Sequence, residues 1–254
     1  MGSSRRTALV TGAARRIGAA IAEALGQDGW NVLLHYNTSE GEAQALCERL
    51  QAQGISCATV QANLAEPAEI QALVGRAQLP FGPLGLLVNN ASVFRYDRAD
   101  TITEENWRHI STVNLEAPIF LAQAFAAQAQ PGEDAVVINM LDQKVENLNP
   151  DFFSYTVSKF GLLGATRVLA MALAPHIRVC GISPGVTMIS GKQTPDSFLK
   201  STTVTPLGRS STVEDIIEAI RFILKSRALT GSTITIDGGE QLMRRRRDVA
   251  FDIE

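Results

Sequence analysis

Short, unbroken apolar runs alternate with longer stretches of apolar residues at helical spacing along nearly the whole chain. The runs are TALVT (7–11), WNVLLHY (30–36), ISCATVQA (55–62), LGLLVNNAS (84–92), DAVVINML (134–141), IRVCGISPG (177–185) and STITIDGG (232–239). Between them, helices are expected at 17–29, 39–54, 66–78, 103–129, 152–174 and 213–225, with Ser39 as an N-cap and a bend near Pro118. Runs without polar alternation suit strands covered on both faces. The expected architecture is therefore α/β: a doubly wound parallel sheet of about seven strands with helices on both faces. No linker or internal repeat divides the 254 residues, so one domain is expected over 1–254, with a polar substrate loop at about 186–212, an ordinary surface connection being the alternative, and a tail at 240–254.

The first strand–helix junction carries the first chemical signal. In VTGAARRIGAAIA (10–22), Gly12 follows the strand and Gly18 opens the helix, the context of a phosphate-binding turn at a helix N-terminus. A middle glycine is missing; Arg15 and Arg16 stand there instead. The acidic residue that would hold a ribose 2′-hydroxyl, about 20 residues further on, is also missing. HYNTS (35–39) offers His35, Asn37 and Ser39 as donors. An added 2′-phosphate would explain both departures, which favours NADP(H) over NAD(H). The alternative is a solvated basic turn.

A second signal lies in SYTVSK (154–159). Tyr155 and Lys159 are spaced i, i+4 and project from one helix face. An ammonium group beside a phenol favours the phenolate, so the pair is expected to lower the tyrosine pKa and serve general acid–base chemistry.

Composition narrows the rest. The net charge of −3 and a single short basic cluster disfavour nucleic acid as a partner. Cys47, Cys57 and Cys180 are scattered, as are His35, His109 and His176, so neither a disulfide framework nor a metal site is expected. No run is expected to be long enough to span a bilayer, and the start lacks a secretory apolar core; a cytoplasmic location is expected.

Taken in order, TGAARRIG (11–18), NNAS (89–92), Asn114 in TVNLEAP, Tyr155 with Lys159, and SPG (183–185) resemble the short-chain dehydrogenase/reductase family over residues 7–239, and with it the Rossmann fold. The resemblance implies Tyr155 as proton donor and Lys159 as the residue that holds the nicotinamide ribose. It implies that Asn114 bends its helix and positions a relay water. It places Gly12, Arg15, Arg16, Ile17, Gly18, His35, Tyr36, Asn37, Ser39, Asn63, Leu64, Asn89, Asn90, Ala91, Ser92, Pro184, Gly185 and Thr187 around the cofactor. Asn63 stands where the family usually has an Asp beside the adenine.

One position departs from the family. Thirteen residues before the tyrosine, where a serine is usual, stands Asp142. With Arg16, His35-Tyr36 and Phe94 it resembles the pteridine reductase branch, which reduces pterins and folates with NADPH. That resemblance implies Arg16 between pyrophosphate and substrate, Phe94 stacked on the pterin opposite the nicotinamide, and Asp142 with a raised pKa sharing proton delivery with Tyr155. A carbonyl or 3-oxoacyl reductase of the same fold, or a catalytically silent NADP(H)-binding sensor or scaffold, are the alternatives.

The insert KVENLNPDFF (144–153) is expected near the site mouth. The family is commonly a homotetramer, which suggests that Arg244–Arg247 meet a neighbouring subunit's carboxylates or approach its active site. A solvated face is the alternative for that run.

Overall fold

A computed structural model describes residues 6–129, 134–189 and 193–252. Three residues of the expected 186–212 connection and the last two of the tail lie outside these. Seven strands alternate with helices: β1 (Thr7–Val10), α1 (Arg16–Gln27), β2 (Asn31–Tyr36), α2 (Glu40–Ala52), β3 (Cys57–Gln61), α3 (Pro67–Gln78) and β4 (Leu84–Asn89). Next come α4 (Glu104–Ser111), a π-helical turn (Thr112–Glu116), α5 (Ala117–Gln128), β5 (Ala135–Met140), α6 (Phe153–Leu173) and β6 (Ile177–Pro184). The chain continues through α7 (Pro195–Thr203), α8 (Val213–Lys225), β7 (Thr233–Ile236) and α9 (Val249–Asp252). One parallel sheet forms in the order β3-β2-β1-β4-β5-β6-β7. Strand order reverses between β1 and β4, and the crevice above their carboxyl ends is where such sheets bind ligands.

The continuous apolar runs are explained by two cores. Ala8, Val10, Val32 and Leu34 pack with Ile21, Leu25, Leu50 and Ile220 on one face of the sheet. Leu9 and Leu33, pointing oppositely, pack with Ile70, Leu73, Leu121 and Phe125 on the other. Alternate residues of one strand thus enter different cores, and neither face can be polar. On α8, Ile216, Ile220 and Ile223 lie on one buried stripe; each such side chain contributes on the order of 2 kcal/mol by leaving water. Thr212 and Asp215 close a capping box at its start.

Several expectations shift. Ser39 occupies the N-cap of α2, but its hydroxyl makes no cap hydrogen bond. The bend expected near Pro118 is the π-helical turn before it, and Pro118 sits in the first turn of α5, directly after that turn. The 84–92 run leaves the sheet at Asn89, because the Asn90 and Ala91 amides turn to donate to the Thr11 hydroxyl at 2.9 and 3.0 Å. Contrary to expectation, Glu104–Gln128 and Phe153–Leu173 are both long and apolar enough to meet the length and composition of a membrane span, at mean hydropathy 1.2. One side of each covers the sheet, with Leu121, Phe125 and Ala170 in the core, while Phe120, Phe160, Val168 and Met171 are exposed.

Candidate active site

The glycine turn is shaped by close backbone approach. A Cβ on Gly18 would lie 2.3 Å from the Gly12 carbonyl oxygen and 2.5 Å from the Asn90 amide nitrogen, and Gly12 has φ +63° with Ala91 packed against it. Asn90 fastens the turn by donating to the carbonyls of Thr11 and Gly12. Arg16 occupies the missing glycine's place and keeps its left-handed backbone, at φ +57°, a conformation costly for a residue with a Cβ and commonest at functional sites. Its guanidinium donates to the Ile189 carbonyl at 2.5 Å, joining the turn to the segment after β6. Arg15, the N-cap of α1, makes no cap bond; a guanidinium has no acceptor to offer, so the first-turn N–H groups keep their affinity for an anion. Its exposed side chain lies 3.6 Å from Glu42 on α2. Ile17 is half-buried against the core.

His35 does not face the 2′-phosphate region. It is buried, its Nδ1 accepts from the Gly12 N–H at 3.0 Å, and its Nε2–H donates to the Ala62 carbonyl at 3.0 Å. Burial lowers its pKa to about 4, so the ring is neutral and braces the turn from beneath. Tyr36 is buried beside it, whereas Asn37 is exposed and Ser39 half-buried at the start of α2. Of these expected phosphate contacts, Arg15, Asn37 and Ser39 remain available. Asn63 accepts from the Ala65 N–H through its side chain, and Leu64 turns its side chain into the core. Asn89 also departs from expectation: it is buried and donates to Asn139 at 2.8 Å, holding β4 to β5.

Tyr155, Asp142 and Lys159 converge where β5 ends against α6. The Tyr155 hydroxyl donates to Asp142 Oδ2 at 2.7 Å, and the Lys144 amide donates to Asp142 Oδ1 at 2.9 Å. Lys159 donates to the Met140 carbonyl at 2.7 Å, with its ammonium 5.6 Å from the Tyr155 ring centre. Tyr155 and Lys159 are buried and Asp142 is half-buried. Burial raises the Asp142 pKa against the pull of two N–H or O–H donors and two lysines, as expected.

The tyrosine expectation is corrected. Burial, then the Asp142 charge, pushes the phenol well above its ordinary value, and burial lowers Lys159 to about 8. In so dry a site desolvation outweighs the ammonium. Tyr155 is a proton-bearing donor here, and a proton on Asp142 would remove the carboxylate's push on it.

Asn114 lies in the π-helical turn, buried. Its Oδ1 accepts from the Val93 N–H at 2.7 Å, and its Nδ2 donates to the Val93 carbonyl and to Ser158 Oγ. It therefore ties the loop after β4 to α6. Ser92 is exposed at the start of that loop. Beyond β6, whose last residue Pro184 is buried, Gly185 packs so tightly that a Cβ would meet Ser210 Oγ at 2.6 Å. The Thr187 hydroxyl bonds the Gly185 carbonyl and Ser211.

Phe94, half exposed, stands at the mouth. Its ring stacks on Phe152 at 4.1 Å and meets Tyr155 edge-on at 4.7 Å. One Phe94 face is thus backed by protein. In the insert, Phe152 faces the site while Phe153 packs on Trp107 and Glu146 accepts from Thr235. Within the arginine run, Arg247 pairs with Asp151 of its own chain at 2.7 Å, and Arg245 donates to the Val204 carbonyl. Sequence reading missed Thr11, whose hydroxyl organises the β4 loop; its position between strand and Gly12 was the available signal. It also missed the Lys144–Asp248 pair at 2.6 Å, which nothing local announces.

A buried tyrosine and lysine joined by a half-buried acid, set at the switch point of a doubly wound sheet beside a glycine turn, define a nicotinamide-dependent oxidoreductase of the short-chain dehydrogenase/reductase family, and this chain belongs to that family. The family model for enoyl-(acyl carrier protein) reductase matches residues 12–241. Within the family the chain falls in the pteridine reductase-like branch. It is similar to FolM alternative dihydrofolate reductase 1 from Brucella canis, solved with NADP, at TM-score 0.92 and 39% identity over 96% of this chain and 97% of that one. It is 32% identical to pteridine reductase 1 of Leishmania tarentolae, over 93% of this chain and 96% of the relative. It is 31% identical to the 3-oxoacyl-(acyl-carrier-protein) reductase of Staphylococcus aureus, over 92% and 97%.

Proposed function

We propose that this protein is an NADPH-dependent reductase of a pterin- or folate-type heterocycle. The observation that carries the reading is the Asp142–Tyr155 hydrogen bond of 2.7 Å where β5 ends against α6. A ring C=N needs a proton on nitrogen as hydride reaches carbon. A carboxyl whose pKa burial raises is the readier to carry and deliver that proton, which a serine hydroxyl does far less readily.

The residues present fit the cofactor. The Gly12–Gly18 turn is a cradle that a Cβ would fill, the α1 N-terminus favours phosphate, and Arg15 and Arg16 add positive charge. Asn37 and Ser39 complete a 2′-phosphate site; Asn63, Leu64, Asn90, Ala91, Ser92, Pro184, Gly185 and Thr187 line the remainder. When bound, the dihydronicotinamide supplies the hydride. Lys159 orients its ribose, Asn114 sets the β4 loop and a relay water, Phe94 supports the substrate ring, and Arg16 faces its polar edge. Asp142 and Tyr155 give up one proton per turnover and regain it from solvent.

Similarity to an oxoacyl reductase supports a second reading, reduction of a carbonyl compound; a silent NADP(H) sensor is the third. Loss of dihydronicotinamide absorbance separates them when NADPH is offered with dihydrobiopterin, dihydrofolate or a simple ketone. Turnover of either heterocycle is expected. Turnover of the ketone alone selects the second reading, and tight NADPH binding without oxidation selects the third. Arg15→Ala should weaken NADPH more than NADH; equal losses would remove the 2′-phosphate assignment.

The same reading has the chain acting as one domain in a cytoplasmic homotetramer. The exposed Phe120 of α5 and the exposed Phe160, Val168 and Met171 of α6 support self-association, to be checked by light scattering.

A further inference from the structure

Three residues of the carboxy-terminal segment, Arg247, Asp248 and Phe251, close onto the insert beside the site. Arg247 grips the buried Asp151 through both oxygens, Nε at 2.7 Å and Nη2 at 2.9 Å, and the Asp248 N–H donates to the same carboxylate at 2.8 Å. Asp248 in turn takes the buried Lys144 ammonium at 2.6 Å, which also donates to Asn149 at 3.0 Å. Two ion pairs thus anchor the segment at both ends of the stretch from Lys144 to Asp151. A fork of this kind fixes geometry as well as distance.

What the clamp surrounds is aromatic. Phe152 follows Asp151, is buried, and has a left-handed backbone at φ +54°; a bulky residue holds that conformation only when its surroundings over-determine it. Tyr96 meets its ring edge-on at 5.3 Å, Phe251 lies stacked at 6.1 Å, and the Lys144 ammonium sits 5.5 Å from its centre. Arg247 lies 5.0 Å from the Phe251 ring centre, so one side chain engages both Asp151 and Phe251. The outer product of these contacts is the 4.1 Å stack of Phe152 on Phe94.

We infer that Arg247 and Phe251 are specificity-determining positioning residues. Through Asp151 and Phe152 they hold Phe94 as a rigid wall for a flat ring, and they do so from within the same chain. This rests on the reading of Phe94 as a substrate wall under the proposed function. Neither residue touches the glycine turn, the Tyr155 hydroxyl or Lys159, so their loss should be felt in substrate binding and not in the chemical step.

The test compares wild type with Arg247→Gln, Phe251→Leu and the double variant Asp151→Asn/Arg247→Gln. For Arg247→Gln, KM for dihydrobiopterin or dihydrofolate should rise about tenfold, with kcat and NADPH affinity within about twofold. Phe251→Leu should act in the same direction and covers the case in which Arg247→Gln folds poorly. The double variant should be no worse than Arg247→Gln alone, because the two residues act as one pair.

Unchanged KM in both single variants, with hydrogen exchange showing residues 144–153 loosened, would overturn the inference. So would a parallel loss of kcat, NADPH affinity and thermal stability. If wild type reduces only ketones, the heterocycle assignment fails by itself. The wall is then read from KM for a flat aryl ketone against an open-chain one: a selective rise for the flat ketone sustains it, and equal rises sink it.

Discussion

Asp142 and Tyr155 sit at the two ends of one short hydrogen bond, and burial drives both toward their protonated forms. Removing the phenol oxygen tests which of them is indispensable. Tyr155→Phe should preserve NADPH affinity and lower turnover by about 10²–10⁴-fold, the range set by one acid–base group; turnover within a few-fold of wild type would shift the whole acid role to Asp142. His35 carries a different lesson. Its sequence position invites a phosphate contact, but with both ring nitrogens bonded to Gly12 and Ala62 it has none to spare. Its neutral state follows from the same burial, which lowers its pKa to about 4.

Local structure depends on a few close approaches between elements. The start of α1 lies against Gly12 and Asn90 so closely that Gly18→Ala must push the helix out or distort the turn. That variant should lose NADPH affinity by at least about tenfold and melt at lower temperature. Gly41→Ala on α2, where a Cβ meets open space, should be neutral or stabilising, since alanine is the better helix former. Equal behaviour of the two variants would remove the steric account. The π-helical turn is the second such device: it brings Asn114 inward to Val93 and Ser158, joining the β4 loop to the helix that bears Tyr155. An extra residue in one helical turn lets a polar side chain turn inward at a functional site.

Across the molecule, acidic groups from distant parts of the chain collect around the site. Glu240, after β7, is buried and raised to about 7, first by burial and then by Asp142, Asp248 and Asp237, against the pull of Arg245. Its folded pKa exceeds the ordinary 4.5, so the fold holds this proton more tightly than the unfolded chain does. The associated stability is complete below about 4.5 and is lost as pH rises through about 7, on the order of 3 kcal/mol in all. Glu240→Gln should therefore narrow the stability difference between pH 5 and pH 8 measured by denaturant unfolding; an unchanged difference would mean that Glu240 stays ionised. Much of this protein was legible beforehand. The seven strands, the glycine turn, and the i, i+4 pairing of Tyr155 with Lys159 rest on local periodicity and fixed spacing, which a linear chain displays directly. Even Asp142 was visible as a carboxylate standing where a hydroxyl is usual. The rest depended on three dimensions. Whether Tyr155 keeps its proton, that His35 braces a turn, and that Arg247 and Asp248 close on Asp151 and Lys144 were decided by desolvation and by contacts between residues up to about a hundred positions apart. Neither quantity exists until the chain has folded.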